Sequence, residues 1–450
     1  MIAFSRLAAV ALALFAAFMN PAAAEEDTSS FGLLCPGPRL FDDLGGLRDR
    51  LGKSGIKLCA TEIAEGFANL TGGLRRGVTF DGALQVQLGV DLGQHGLPGG
   101  MFYVSAWQLH GRGPSRSLVG NLQTVSGVEA TNATRLDDIW FEQAFSPTLS
   151  LRLGQMRVDE EFLGHTDAGN LFLNSFFGFP GVTSLGLPSG GPVFPLGTPG
   201  VRIKYAPTEN LTLLAGIFNG DPAGTGLVDP QRRNADGLRF RTRDGVMAFA
   251  EAQYSTTIAE QYGIYKIGGF FNSGRFPDQR FDSNGVSLAA PGSTGIPATR
   301  RGDAGFYLMA DQTIWHSGGD APQAVGLFAR AVLTRRDRNP ADLSLDAGIT
   351  WKGPFGQTDD IAGLGVTYVR ISDQLRLLDQ DAARITPGLP IRSQETVFEL
   401  TYVHQIRPGW LIQPDLQYIH RPGGGVVNPL APTERLRSAV LLGLRTTLQF

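Results

Sequence analysis

The chain has 450 residues, with 39 Lys and Arg against 42 Asp and Glu, a formal net charge of −3 and a mean hydropathy of −0.04. That balance offers no basic excess for nucleic acid, and no segment beyond the leader reaches the ~18 consecutive apolar residues of a membrane helix. It does not exclude a membrane-spanning barrel, in which alternate residues face water and the mean hydropathy stays near neutral.

Residues 1–24 read as a cleavable secretory signal. Arg6 supplies a positive start, Leu7 to Met19 an apolar run, and Ala22-Ala23-Ala24 a small-residue site before Glu25. Residues 25–55 read as an N-terminal periplasmic segment. In an exported chain, Cys35 and Cys59 are expected to pair in a disulfide. Leu44, Leu47 and Leu51, within 42–56, have the spacing of a short amphipathic helix ending at Gly52 or Gly55. The Gly46 to Gly52-Lys53-Ser54 spacing is one residue too long for a phosphate loop, and no strand leads into it.

From residue 56 onward the pattern has period 2. Leu343, Leu345, Ala347, Ile349 and Trp351 share one face, and Ser344, Asp346, Gly348, Thr350 and Lys352 the other, as in a strand between an apolar phase and water. Leu84 to Asp91, Leu149 to Gly154 and Val201 to Tyr205 repeat the pattern. About sixteen such segments follow one another: 56–69, 80–92, 100–109, 135–146, 149–158, 200–207, 211–219, 245–254, 263–272, 305–315, 324–334, 342–352, 360–371, 394–405, 410–419 and 437–450. Pro414, inside the fifteenth, predicts a bulge there or a misplaced strand.

Connections after even-numbered segments are short. Most of those after odd-numbered ones are long: 110–134, 159–199, 220–244, 273–304, 372–393 and 420–436. An even-stranded antiparallel transmembrane β-barrel has this asymmetry, so the fold class predicted is all-β, a 16-stranded barrel over 56–450 with a short N-terminal helix. Aromatic residues near strand ends, among them Tyr205, Tyr254, Trp351 and Tyr418, suit interfacial girdles, and Phe450 ends the last strand as outer-membrane assembly signals do. The stretch 159–200, rich in Gly, Pro and Phe, is too long for an idle loop and is expected to fold inward across the lumen.

By strand parity, Glu142, Arg152, Arg202, Lys204, Glu251, Asp311, Arg330, Asp346, Lys352, Glu399, Asp415, Gln417 and Arg445 point inward, with Trp107 and Trp140 on the same side. Arg152, Arg202 and Lys204 flank the long loop and are candidates for the positive side of a constriction. Glu142, Glu251 and Asp346 are candidates for its negative side, with Arg330 and Trp107 also on the path. Both signs together suit neutral polyols better than a ring of Lys and Arg would. The plainer reading is that these charges solvate the lumen and brace loops.

No constellation for catalysis or metal binding is present. H-E-x-x-H is missing, Leu187 to Gly191 lacks the first glycine of a nucleophile elbow, and the six histidines have no metal-ligand spacing, so each is read as solvated or interfacial. No cofactor is expected. The runner-up functions are a general or anion-preferring porin on the same barrel, and an outer-membrane hydrolase or adhesin.

The residues resemble the carbohydrate-selective porin family of Gram-negative outer membranes, the OprB type. The resemblance rests on LGGLRDRL (44–51), HGRGPS (110–115), TRLDDIWFEQAF (134–145), LPSGGPVFPLGTPGVRIKY (187–205), FNGDPAG (218–224), DPQRRN (229–234), EAQY (251–254), FARA (328–331), ISDQ (371–374), FELTY (398–402) and IQPDLQYIHRPGG (412–424). It departs at Leu44, where the family usually has Trp. It implies a sixteen-stranded barrel set in outer-membrane lipid that admits small sugars passively. It leaves open which sugar, and whether the barrel is a monomer or a homotrimer.

Overall fold

The computed structural model describes residues 37–450 except 42, 166–167, 319–322 and 430. The predicted signal and Cys35 lie outside the described residues. Cys59 is disulfide-bonded.

In chain order the strands are β1 (Ile56–Gly73), β2 (Gly77–Asp91), β3 (Gly100–Gly111), β4 (Ala133–Ser146), β5 (Leu149–Met156), β6 (Thr198–Thr208), β7 (Leu211–Asn219), β8 (Val246–Ile258), β9 (Gln261–Asp282), β10 (Pro297–His316), β11 (Ala324–Thr334), β12 (Ala341–Lys352), β13 (Ile361–Ile371), β14 (Gln394–Arg407), β15 (Trp410–His420), β16 (Val427–Asn428), β17 (Ala431–Arg435) and β18 (Arg437–Gln449). β1 to β15 and β18 form one closed barrel of sixteen strands, and β16 and β17 make a small separate hairpin. Neighbours pair antiparallel, and the barrel closes where β1 meets β18, from Thr61↔Gln449 to Gly73↔Arg437. Closure satisfies every strand edge, which a sheet in hydrocarbon requires.

The predicted alternation is visible in exposure. On β12, Leu345 and Ile349 are exposed while Ser344, Asp346 and Thr350 are buried. Apolar residues thus form the outer face, and polar residues point inward, where other parts of the chain cover them.

Helix α1 (Leu47–Gly52) is the predicted N-terminal helix. The segment before it packs at the short-turn end: Leu40 N–H donates to Gln449 O at 2.8 Å, and the Phe41 and Phe450 rings stack with centroids 5.9 Å apart.

Three expectations need correction. The stretch 273–304 is not all loop, because β9 continues to Asp282 and β10 starts at Pro297. Gly274, Pro277 and the charged residues hide the alternation, yet Phe276 and Asp278 are buried between exposed Arg275 and Pro277. The stretch 372–393 contains helix α2 (Asp373–Ile385), N-capped by Ser372, whose side chain accepts from the Leu375 N–H. Pro414 makes no bulge. The β14–β15 ladder runs from Thr401↔Asp415 to His404↔Ile412 with its register unchanged, and Pro414, exposed on the outer face, pairs with Leu444 of β18. Inside the barrel, Gln413 Nε2 donates to Thr401 Oγ1 at 2.8 Å, tying the two strands beside it.

Candidate functional site: a loop clamped across the lumen

Between β5 and β6 the chain folds into the barrel, in short helical turns at Ala168–Leu171, Ser175–Gly178 and Gly181–Gly186. Its apolar residues Phe162, Leu163, Leu173, Phe176, Phe177 and Val182 are buried. Phe162, Leu163, Phe176 and Val182 share a cluster with the wall residues Phe218, Phe249 and Phe270, Leu173 packs with Phe67 and Val397, and Phe177 with Phe328. Bare backbone on β13 makes room for the aromatic rings: a Cβ on Gly363 would lie 2.9 Å from the Phe172 ring, and one on Gly365 2.7 Å from the Phe177 ring.

An irregular loop held away from water leaves many backbone groups in need of partners. The inward charges of the wall supply them. Arg330, with 0% side-chain exposure, donates to the carbonyls of Leu163 (2.5 Å), Gly178 (2.9 Å), Phe176 (2.5 Å) and Phe177 (3.2 Å). It also pairs with Asp346, its cross-strand neighbour, at 2.9 Å. Glu251 accepts from the Leu163 N–H at 2.9 Å and from Tyr307 Oη at 2.8 Å. Glu399 accepts from the N–H groups of Leu173 and Asn174 at 2.5 and 3.1 Å. Glu395 does the same for a second inner segment, taking the N–H groups of Leu122 and Gln123, each at 2.8 Å.

A second group surrounds the start of the loop. Arg152 on β5 and Arg202 on β6 lie directly opposite each other, an arrangement that repels unless neutralised. Two carboxylates neutralise it. Glu142 meets Arg152 at 2.8 Å and Arg202 at 3.1 Å, and Glu161, from the loop, meets them at 2.7 and 2.5 Å. The Arg152 guanidinium lies 3.7 Å over the Trp140 ring, which stacks on Tyr103 at 4.7 Å. Of the residues predicted for the constriction, Glu142, Arg152 and Arg202 therefore come together.

The others lie elsewhere. Lys204 is exposed, one inward position nearer the short-turn end and opposite Ser150. Trp107 is buried, its Nε1–H donating to Asp137 at 2.7 Å and its ring edge-on to Phe194 at 5.2 Å. Glu251, Arg330 and Asp346 are buried beneath the loop, bonded to its backbone or to His165.

Sequence reasoning missed two residues. Glu161 completes the four-charge cluster, and its only signal was the acidic run 159–161 beside a strand. His165 corrects the reading of every histidine as solvated: its side chain is 0% exposed, with Nε2 2.8 Å from Asp346 and Nδ1 3.0 Å from Asp311. It sits in the aperiodic loop, so no spacing could have placed it between two wall carboxylates. Asp137, Asp138 and Glu160 also converge in a geometry that suits a metal. Arg157 already occupies that neighbourhood, with Nε 3.1 Å from Asp137 and Nη2 2.6 Å from Glu160.

At the long-loop end, arginines are again matched with carboxylates. Arg300 meets Asp278 at 2.6 Å, Arg370 meets Asp342 at 2.7 Å, Arg392 meets Asp379 at 2.7 Å and Arg280 meets Asp381 at 2.9 Å. Arg280 and then Ser287, by hydrogen bonding, hold the Asp381 carboxyl below the usual carboxylate range.

A closed wall, apolar outside and polar within, with short turns at one end and a loop clamped across the lumen, is the architecture of a porin. Residues 75–450 match the model of the carbohydrate-selective porin, OprB family, and the chain belongs to that family, as the resemblance implied. It is an outer-membrane sugar channel. It is 25% identical over 410 residues to Porin B of Pseudomonas aeruginosa, covering 86% of this chain and 87% of that one. It is 22% identical over 415 residues to the putative porin QuiX of Acinetobacter baylyi, covering 86% and 89%. The high-pH structure of Pseudomonas putida OprB has the same fold, with a TM-score of 0.81 at 22% identity, covering 92% of this chain and 99% of that one. These relatives are channels, and nothing in the comparisons points to catalysis.

Proposed function

We propose that the chain, exported by a cleaved signal, is a passive filter for small neutral sugars, narrowed by the loop between β5 and β6. The constriction is assigned to the Arg152, Arg202, Glu142 and Glu161 cluster, which meets the lumen chiefly through Glu161 (19% side-chain exposure) with Arg152 and Glu142 at its edge, while Arg202 (2%) braces it from behind. Lys204 faces the water just beyond it on the periplasmic side. The observation that supports this is charge matching: Arg152 and Arg202 share two carboxylates, so the site offers donors and acceptors with little net field. A polyol exchanges hydrogen bonds with such a surface, while an anion gains little there. Weak contacts are what transport needs, since tight binding would stop exit.

The test is liposome swelling across mono- and disaccharides, combined with reversal potentials in a planar bilayer. Swelling that falls with sugar size, together with weak ion selectivity, is expected. A barrel that passes no sugar, or one that strongly prefers anions, overturns the reading. Replacing Arg152 and Arg202 with Gln should alter sugar flux or ion selectivity, and unchanged values would remove them from the constriction.

A further inference from the structure

Beyond its path for sugars, the barrel carries an unmatched pair of cations on its outer face. Arg275 of β9 and Arg301 of β10 are direct cross-strand partners, and both are exposed. Neither side chain has a carboxylate partner among the described residues. Like charges directly opposite on a sheet are destabilising. The adjacent inward arginine differs sharply, since Arg300 is bonded to Asp278 at 2.6 Å.

The placement is built into the ladder. Along β10 the inward residues are odd-numbered, with Asp303 and Tyr307 buried, so an unbroken strand would turn Arg301 inward. The register shifts between Arg301 and Asp303, where Gly302 takes a φ of +65°. There the single residue Gly302 stands against two residues of β9, Ser273 and Gly274, and its left-handed backbone breaks the alternation of β10 so that Arg301 points outward.

The level on the wall identifies the partner. Phe271 and Phe306 are 46% and 45% exposed on the same outer face, at the long-loop end of the apolar band. Arg275 lies four residues beyond Phe271, about 10 Å higher for a strand rising ~3.3 Å per residue with a tilt near 40°. That is the headgroup layer of the outer leaflet.

We propose that Arg275 and Arg301 together bind a phosphate of an anionic glycolipid in the outer leaflet. The proposal rests on the outer-membrane placement of the barrel and is independent of what passes through its lumen. One phosphate bridging two guanidinium forks converts a repulsive pair into charge-assisted hydrogen bonds.

The experiment uses the purified protein in detergent. Its thermal midpoint is followed while bisphosphorylated lipid A, the same lipid without phosphates, or inorganic phosphate is added. Lipid A should raise the midpoint, and the other two should not. The double variant Arg275→Gln/Arg301→Gln should bind lipid A about tenfold more weakly or worse, the loss of roughly one charge-assisted contact. Arg275→Lys/Arg301→Lys should keep most of the binding. Without lipid, the Gln variant should be at least as heat-stable as the parent, because the like-charge contact is gone. Equal lipid A binding by parent and Gln variant overturns the proposal, as does an equal response to inorganic phosphate. Should the Gln variant fail to fold, salt decides: binding by the parent that ignores ionic strength overturns the proposal, and binding that falls with salt supports it. Sugar-driven liposome swelling should be the same in parent and variants, which separates this site from the passage.

Discussion

Arg330 is the side chain on which the position of the inner loop most depends, and replacing it with Met is the sharpest test of the clamp. The guanidinium holds four loop carbonyls and Asp346. Methionine fills much of the volume but donates nothing. Asp346, with 1% side-chain exposure, would keep only His165. Breaking a buried pair by removing one partner costs about 3–5 kcal/mol, and orphaned buried carbonyls add to that. His165 still faces Asp346, so the lower figure, about 3 kcal/mol, is the one to expect. That shifts the balance between docked and released loop by more than a hundredfold. The wall should survive, since Arg330's backbone ladder to Asp346 and Met309 is untouched. Arg330→Met should therefore migrate on gels as a heat-modifiable folded barrel, while its single-channel conductance rises or becomes noisy as the loop leaves the lumen. Arg330→Lys, which keeps the charge but loses the fork, should fall between. A folded Arg330→Met barrel with parental conductance and sugar flux would refute the idea that this residue fixes the loop.

Glu161→Gln removes one of two carboxylates facing Arg152 and Arg202, so the reversal potential in a salt gradient should move toward anion preference, and no movement would take Glu161 off the ion path. Gly365→Val puts a side chain where a Cβ would already lie 2.7 Å from the Phe177 ring, so the loop should lift from β13 and protease should cut it faster in the folded barrel. The Arg280–Asp381 bond ties α2 to the β9–β10 ribbon. Because the Asp381 carboxyl is depressed in the folded state, its contribution is complete above the ordinary carboxylate pKa of about 4 and is lost as pH falls through the lower folded value. The protection factors of amides 373–385, corrected for the intrinsic pH dependence of exchange, should therefore fall below about pH 4, and Asp381→Asn should show lower protection already at neutral pH.

The sequence disclosed the wall because a barrel in a membrane places each residue in one of two solvents. Hydrocarbon outside and water or packed loop inside impose a period of exactly two residues, and segments such as 343–352 carry it openly. It faltered where that constraint weakens. Beyond the hydrocarbon band, residues 273–282 need no apolar face, so the projecting end of β9 reads as loop. The Ser372 cap and the leucines of 373–385 did signal a helix, but one that a loop-length argument passes over. Parity also brought Glu142, Arg152 and Arg202 onto one inner face, because cross-strand neighbours inherit their side from the ladder.

What lies against that face was decided only by the folded chain. The loop from 157 to 197 has no period, and its contacts join residues more than a hundred positions apart, as when Arg330 reaches Leu163 and Glu399 reaches Leu173. Backbone groups removed from water must find partners wherever the three-dimensional path leaves them. That requirement turned Glu251, Arg330 and Asp346 from candidates for the passage into anchors of the loop, and it placed His165 between two carboxylates that no stretch of sequence brings together.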